Sequence, residues 1–372
     1  MRHLVVVVVL GVLGVLAITT RSASAYPQYQ LDTDQTCTSC HLAPDGGGIL
    51  TENGTNVAEA TAWRPGDGRF MYGMAKPSWL DLGGDARGAA GYVYPGTSSA
   101  AAYPMQLEVS ASAHWAGFSL HAVGGFRRPA DSGSALHVLW SREHYVMWQS
   151  SPGDHEGLYL RVGRLLPTFG LRLAEHVVYT QRYGGYPLYG EVYAIAASYV
   201  KDAWELHAAA FVHDPIASAE EHGDGGALYA EARIGEHAAV GVEGKYAASD
   251  DAHRTYAGVT GKLYLPGPAI QLLSEVQVIR ENFLAADDRV TQLAGYVLAS
   301  HPLGGGVLLD VGAGHFTEDT RVQGLFRDCL DVNLHWFQTS HLEWLLTTRA
   351  ELLDAGAHAS GGYALVQFHY RL

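Results

Sequence analysis

A strict alternation of apolar and polar side chains marks residues 330–336, which read Leu330-Asp331-Val332-Asn333-Leu334-His335-Trp336. Successive side chains of a β-strand point to opposite faces, so a period of two predicts a strand with one apolar and one polar face. The same alternation recurs at residues 106–115 and 204–213 and, less strictly, along the whole chain after Pro77. The sequence therefore predicts an all-β domain over residues 77–372.

About 16 strand candidates follow from this pattern, and the connections between them alternate in length. The candidates cover residues 79–92, 104–116, 118–127, 137–149, 157–165, 189–200, 203–213, 226–235, 238–247, 254–265, 270–281, 289–300, 306–316, 327–338, 341–353 and 361–372. Short connections fall near Gly117 and Pro266-Gly267, whereas long ones fall near 93–103, 128–136 and 166–188. Outer-membrane barrels have short periplasmic turns and longer outer loops. We therefore expect a transmembrane antiparallel up-and-down β-barrel of about 16 strands, with a soluble β-sandwich as the alternative.

Composition and the last strand candidate agree with a membrane barrel. Charged residues make up only 17% of the 372, while the chain has 44 glycines and 21 tyrosines. The final candidate carries an apolar face to Leu372, as in the C-terminal signal of outer-membrane barrels, although the usual last residue there is aromatic. Interfacial girdles are expected to include Trp79, Tyr92, Trp336 and Trp344. The net charge of −14 and the lack of a basic run argue against nucleic acid as a partner, and the expected surroundings are outer-membrane lipid.

The polar strand faces are expected to line a lumen, because a barrel of this size leaves an aqueous interior unless something fills it. We expect most of the inward side chains to be solvated pore wall, and the candidates are Glu108, His114, Glu205, His207, Glu243, Lys245, Gln271, Glu275, Asp331, Asn333, His335 and Arg349. Cys329 shares the inward face with Asp331, and we expect its thiol to be unreactive there.

The N-terminus has the features of an export signal. Arg2 and His3 precede an apolar run from Leu4 to Ala17, and Ala23-Ser24-Ala25 is a small-residue cleavage site. The predicted organisation is a signal peptide over residues 1–25, a haem-binding segment over 26–76 and the barrel over 77–372. The predicted location is the outer membrane of a Gram-negative-type bacterium, with the 26–76 segment at the periplasmic side or in the lumen.

Residues 37–41 read Cys37-Thr38-Ser39-Cys40-His41, which matches the C-x-x-C-H attachment motif of c-type haem. In this motif the two thiols add to the haem vinyl groups, and the adjacent histidine binds the iron from the proximal side. Attachment takes place outside the cytoplasm, which agrees with the export signal. We therefore expect one covalent haem c on Cys37 and Cys40, with His41 as the proximal iron ligand. Gly46 to Gly48 permit a tight turn beside the macrocycle.

Two other chemistries use a C-x-x-C pair, zinc binding and dithiol redox exchange. The sequence has neither a second ligand pair at zinc-finger spacing nor a thioredoxin-like βαβ pattern around the cysteines. The sequence leaves the distal iron ligand open. Met71 and Met74 are close in sequence, His176 from the later region is the rival, and an open or water-bound position is the third option.

The longest predicted connection, residues 166–188, contains Pro167-Thr168-Phe169-Gly170-Leu171-Arg172 and is rich in arginine, tyrosine and glycine. Long porin loops can fold inward and constrict the pore, which would turn His176 and Arg182 toward the lumen. We expect instead a structured surface loop, the commoner arrangement for a connection.

Three stretches carry a family resemblance: Cys37 to Gly54, residues 79–87 (Trp79-Leu80-Asp81-Leu82-Gly83-Gly84-Asp85-Ala86-Arg87) and residues 167–172. In these the chain resembles bacterial outer-membrane barrels with an N-terminal single-haem motif, related in idea to porin–cytochrome conduits. The resemblance implies electron transfer across or at the outer membrane, with a periplasmic or extracellular redox partner. This chain departs from the conduits because it has one haem motif and that motif is fused to the barrel.

Electron transfer is thus the leading functional hypothesis, and we expect an electron-transfer protein rather than an enzyme. The alternatives are a solute porin whose haem plug is structural or gating, and a haem-based sensor or peroxidase. A sensor or peroxidase would need an open sixth coordination position on the iron.

Overall fold

The computed structural model describes residues 35–62, 66–94, 101–126, 139–173, 177–185, 190–213, 223–285, 288–354 and 359–372. The predicted signal peptide and the candidate ligand His176 lie outside these residues. The described N-terminal part forms three short helices, α1 (Cys37–Cys40), α2 (Glu52–Ala62) and α3 (Phe70–Gly73). None of the described helices has both the length and the apolar character needed to cross a bilayer.

Sixteen strands follow, and the predicted strand candidates agree with them to within a few residues. They are β1 (Leu80–Tyr94), β2 (Ala101–Trp115), β3 (Phe118–Phe126), β4 (Leu139–Gln149), β5 (Gly157–Leu165), β6 (Val192–Lys201), β7 (Trp204–Val212), β8 (Asp224–Arg233), β9 (Ala238–Ala248), β10 (Ala252–Leu265), β11 (Ile270–Phe283), β12 (Asp288–Gly304), β13 (Val307–Thr317), β14 (Phe326–Phe337), β15 (Leu342–Asp354) and β16 (Ala359–Arg371). A short π-helix (Thr180–Gly184) interrupts the connection between β5 and β6.

Each strand pairs antiparallel with its sequence neighbours, and β1 pairs with β16 to close the barrel. The closing register places Asp85 opposite Arg371 and Tyr94 opposite Gly362. Closure leaves no free sheet edge, which is the requirement for a β-structure that spans a bilayer. The predicted up-and-down barrel is therefore confirmed, and the sandwich alternative is wrong.

The two faces of the barrel have opposite character. In β14 the side chains of Leu330, Val332 and Leu334 are exposed on the outside, whereas those of Asp331 and His335 are buried on the inside. The outward aromatic residues near strand ends are exposed as expected for interfacial girdles, namely Trp79, Tyr92, Trp336 and Trp344. An apolar exterior around a polar interior is the pattern of a transmembrane barrel.

The expectation of a solvated pore wall is wrong for most of the inward residues. Glu108 and His114 keep partial exposure, but the remaining candidates are buried: Glu205, His207, Glu243, Lys245, Gln271, Glu275, Asp331, Asn333, His335 and Arg349. Two bodies inside the lumen cover this wall. One is residues 35–50 with the C-x-x-C-H motif, here called the motif segment. The other is the described part of the connection between β5 and β6, residues 166–173, 177–185 and 190–191, here called the inner loop.

The inner loop folds into the barrel, so the expectation of a surface loop is wrong. Tyr179 has no exposed area, and its hydroxyl donates to Glu351 Oε1 on the inner face of β15 (2.5 Å). Lys245 Nζ on β9 donates to the Gly185 carbonyl (2.7 Å). A Cβ on Gly170 would lie 2.0 Å from Glu275 Oε1 on β11, so only glycine permits this approach of the loop to the wall. Arg182, the other lumen candidate of this loop, stays exposed.

Candidate functional site

The C-x-x-C-H motif occupies a single helical turn followed by a bend. Cys37 and Cys40 are the first and last residues of α1, and the His41 amide donates to the Cys37 carbonyl (2.9 Å). His41 itself is extended and bridges to Leu50, so the chain doubles back after the motif. A Cβ on Gly54 would lie 2.1 Å from the Cys40 carbonyl oxygen, and therefore only glycine lets α2 pack this closely on α1. The turn places both thiols and the imidazole in one small region.

The imidazole of His41 is held in the form that a metal ligand needs. Its Nδ1 lies 3.1 Å from the Gly47 carbonyl oxygen. A carbonyl can only accept, so Nδ1 carries the proton and the lone pair of the neutral ring lies on Nε2. Among the described residues Nε2 has no hydrogen-bond partner. Metal-binding histidines characteristically donate their other ring N–H to a carbonyl or carboxylate in this way.

The pKa values of the motif residues distinguish between the chemistries of a C-x-x-C pair. Burial and the nearby Glu205 raise the pKa of Cys37 to about 12, and burial also raises the pKa of Cys40. A dithiol that exchanges disulfides needs a lowered thiol pKa, so this environment does not favour redox exchange. Burial and the Arg172 guanidinium lower the pKa of His41 to about 4, which keeps the ring neutral.

A zinc site at the motif is also unsupported. In the parts of the chain that the structure describes, no three or more His, Cys, Asp or Glu side chains converge as a metal-binding group. Haem attachment makes no such demand, because its cysteines form thioethers and only the histidine binds the metal. The motif supplies two cysteines followed by one histidine, which is the set of residues that c-type haem attachment uses.

Three glycines after the motif make the predicted tight turn. Gly46, Gly47 and Gly48 all have left-handed backbone angles, with φ of +82°, +79° and +65°. A Cβ on Gly46 would lie 3.8 Å from both Cys37 Sγ and a ring carbon of His41. The turn thus wraps closely around the motif and carries the Gly47 carbonyl to the imidazole.

Asp45, just before this turn, joins the motif segment to the inner loop. Its side chain is fully buried and lies 3.0 Å from Arg161 Nη1 on β5 and 3.0 Å from Arg172 Nη1 of the inner loop. The Thr168 hydroxyl donates to the same carboxylate (3.1 Å). Burial disfavours the charge of Asp45, but the two guanidinium groups outweigh it and hold its pKa well below the usual range. Asp45 is therefore an ionised carboxylate shared by two arginines.

Further contacts fix the motif segment at one end of the barrel. The Thr38 hydroxyl donates to the His155 carbonyl in the β4–β5 connection (2.6 Å), and Arg233 at the end of β8 donates to the Gln35 carbonyl. Both contacts lie at the end of the barrel that carries the two-residue β2–β3 turn, called here the turn end. The inner loop enters from the opposite, loop end. The two bodies meet inside the lumen at Asp45.

A cavity of about 1420 Å³ adjoins the motif. Its wall includes Cys37, Cys40 and His41, together with Arg161 and Met74. Sites for small molecules and cofactors usually measure about 300–1,000 Å³. The cavity is therefore large enough for a macrocycle beside the motif.

The candidate distal ligands differ in position. Met74 lines the cavity, whereas Met71 does not, and both side chains are about half exposed. Three histidines that the sequence did not suggest also line it, His121, His341 and His369. His121 Nε2 lies 3.8 Å from Glu143 Oε2, whereas both ring nitrogens of the other two are engaged. His341 contacts the carbonyls of Arg371 and Asp67, and His369 contacts the carboxylates of Asp85 and Glu343. Of the distal ligands predicted from the sequence, Met74 is thus the described one that lines the cavity.

Sequence reasoning missed Asp45 and Arg161 as parts of this site. They are 116 residues apart, and no spacing rule links a glycine-rich turn to a strand position so far along the chain. Arg172 ends the Pro167–Arg172 stretch, but its contact with Asp45 depends on the inward course of that loop.

Comparisons with known proteins agree with the barrel fold. No family model and no curated protein match the chain. Solved structures do match, among them OmpT of Vibrio cholerae, with a TM-score of 0.61 and 11% identity over 80% of this chain and 99% of that one. An anion-selective porin from Comamonas acidovorans gives 0.59 and 12% over 79% and 99%, and the outer-membrane channel DcaP of Acinetobacter baumannii gives 0.57 and 11% over 81% and 99%. At such low identity the likeness establishes the fold alone, which is that of outer-membrane porins and channels.

Proposed function

We propose that this chain is an outer-membrane barrel that carries one covalent haem c inside its lumen and takes part in electron transfer across or at the outer membrane. Cys37 and Cys40 would hold the haem through thioether bonds, and His41 Nε2 would bind the iron. One observation supports this above the others: the Gly47 carbonyl fixes the His41 tautomer so that Nε2 is available beside a large cavity. When bound, the haem supplies one reversible electron-accepting and electron-donating centre.

The residues around the motif would perform distinct tasks. The Gly46–Gly48 turn and α2 would hold the imidazole and the two thiols in place, where they are half-buried and line the cavity. Asp45 ties the motif to the barrel wall and the inner loop. We propose that the turn end faces the periplasm, because outer-membrane barrels have their short turns there.

A redox partner is part of the proposal. The apolar band of an outer-membrane barrel is about 25 Å tall, and a single haem does not span it. A periplasmic cytochrome-type donor at the turn end, or an acceptor beyond the loop end, would supply the remaining step.

Vesicles that contain the purified protein provide the test. Ferricyanide is enclosed inside, dithionite is added outside, and the haem spectrum is followed. We expect dithionite to reduce the haem. Because one haem does not span the bilayer, we expect electrons to reach the enclosed ferricyanide only when a soluble cytochrome is present as the redox partner. The Cys37→Ser/Cys40→Ser barrel, which lacks the haem, measures leakage. A haem that keeps its redox state under both reagents would contradict a role in electron transfer.

A second candidate is a solute porin whose haem plug is structural or gating. It is favoured by the two bodies that narrow the lumen, the motif segment and the inner loop. Single-channel conductance in planar bilayers separates the two functions. A gating plug predicts a conductance that changes with the haem redox state, and a structural plug predicts a substantial conductance that does not change. A sensor or peroxidase would instead show a five-coordinate iron.

A further inference from the structure

Arg161 is a buried cation with an unused binding edge. It lies on the inner face of β5 and is 3% exposed. Its Nη1 donates to Asp45 Oδ1 (3.0 Å), but Nε and Nη2 have no hydrogen-bond partner in the described part of the chain. A guanidinium is always charged, and leaving its buried N–H groups unpaired is costly.

The described residues around Arg161 offer no hydrogen-bond acceptor for that edge. Asp45 Oδ1 pairs with Arg161, while Asp45 Oδ2 pairs with Arg172 and Thr168. Within hydrogen-bonding distance one carboxylate thus serves two guanidinium groups, and Glu143 is a further described carboxylate near enough to act on Arg161. The Nε and Nη2 side of a guanidinium is a pair of parallel donors that matches the two oxygens of a carboxylate.

Arg161 lines the same cavity as Cys37, Cys40 and His41. A haem attached there would bring two propionate carboxylates into this cavity. We propose that the Nε and Nη2 edge of Arg161 binds one haem propionate. This inference depends on the proposed function, since it requires the haem to be present. The same chemistry would also suit a small carboxylate solute that passes through the lumen, and the experiment separates the two sources.

Such a contact would tune the haem as well as orient it. The ferric form carries one more positive charge than the ferrous form, so a buried cation nearby disfavours oxidation and raises the reduction potential. The same cation favours the ionised form of the propionate and therefore lowers the propionate pKa. A haem without this cation should have a lower potential that varies with pH as the propionate takes up its proton.

The test compares Arg161→Gln with Arg164→Gln in the haem-loaded protein. Arg164 is also on β5 and 3% exposed, but it donates to the Ser141 and Arg142 carbonyls and is not among the residues that line the cavity. Covalent haem is measured by mass spectrometry of the denatured chain, and the potential by spectroelectrochemistry at several pH values. The heat-dependent shift in gel migration checks that each barrel is folded.

We expect Arg161→Gln to keep its covalent haem, with a lower potential and a stronger pH dependence than wild type and Arg164→Gln. Arg161→Lys, which keeps the charge beside Asp45 but loses the paired donors, should fall between them. If Arg161→Gln does not fold, the potential of Arg161→Lys tests whether Arg161 binds the propionate. A potential and pH profile equal to those of Arg164→Gln would overturn the proposal. Uptake of citrate, a small carboxylate, by vesicles that contain each variant is measured in parallel, and a loss confined to this uptake would assign Arg161 to solutes instead. Failure of the wild-type chain to acquire haem would instead refute the proposed function.

Discussion

The carboxylate of Asp45 is predicted to hold the motif segment inside the barrel, and Asp45→Asn tests this directly. The substitution keeps the shape of the side chain but removes its charge. Arg161 and Arg172 would then lie in the lumen without the carboxylate that balances them. We expect the motif segment and the first residues of the inner loop to lose protection together, because the same carboxylate joins both.

The magnitude follows from burial. Removal of one partner of a buried ion pair costs about 3–5 kcal/mol. Arg172 keeps 25% of its side-chain surface exposed and also donates to the Gly46 carbonyl (2.7 Å), so part of its charge remains solvated. The lower end of the range, about 3 kcal/mol, is therefore expected, and it corresponds to roughly a hundredfold faster opening of the segment.

Hydrogen exchange followed by mass spectrometry measures this opening. Peptides that cover residues 35–50 and 166–173 should exchange about a hundredfold faster in Asp45→Asn, at about 1.4 kcal/mol per tenfold, while the strands stay protected. Asp67→Asn is the matched control, because the Asp67 carboxylate forms its ion pair with the exposed Arg69 at the surface and its loss should leave exchange unchanged. Unchanged protection of residues 35–50 in folded Asp45→Asn would refute the claim that this carboxylate holds the segment.

Three further predictions concern the inner loop, acid and the distal ligand. Gly170→Ala should displace the inner loop at a cost of about 1–3 kcal/mol, because the new Cβ would lie 2.0 Å from Glu275 Oε1. The displaced loop should raise the single-channel conductance. Gly153→Ala, with open space around it, should not change the conductance. The arginine partners of Asp45 lower its pKa in the folded protein, so its stabilisation is complete above the ordinary carboxyl range and is lost as the pH falls through the lowered value. Acid titration of segment protection should show this loss in wild type and not in Asp45→Asn. Met74→Ala should change the haem spin state if this cavity-lining thioether is the distal ligand, and an unchanged spectrum would exclude it.

Much of the barrel could be predicted from the sequence because a two-residue period directly records which side chains face water and which face lipid. Asp331 and His335 were assigned to the inner face on that basis, and both are buried there. The alternation of short and long connections predicted that consecutive strands pair as neighbours in an up-and-down barrel. Strand bounds differed by a few residues, since hydrogen bonding at strand ends depends on the partner strand more than on local sequence.

The interior of the barrel could not be predicted in the same way. Periodicity says nothing about a long connection, and the inward course of the inner loop rests on contacts such as Tyr179 to Glu351, 172 residues apart. The alternation also could not show that residues such as Glu275 are covered, because covering depends on what fills the lumen. The C-x-x-C-H motif identified the candidate haem residues. It could not show the ion pair beside them, because Asp45 and Arg161 are 116 residues apart in the sequence.

The central claim is that this barrel carries a covalent haem on Cys37 and Cys40, and one measurement tests it most directly. The full chain is expressed with the c-type haem maturation machinery, purified from the membrane and denatured, and its mass and reduced-minus-oxidised spectrum are recorded. We predict one haem per chain that remains attached through denaturation and is absent from Cys37→Ser/Cys40→Ser. A folded barrel of unmodified mass without a reducible haem spectrum would contradict the account.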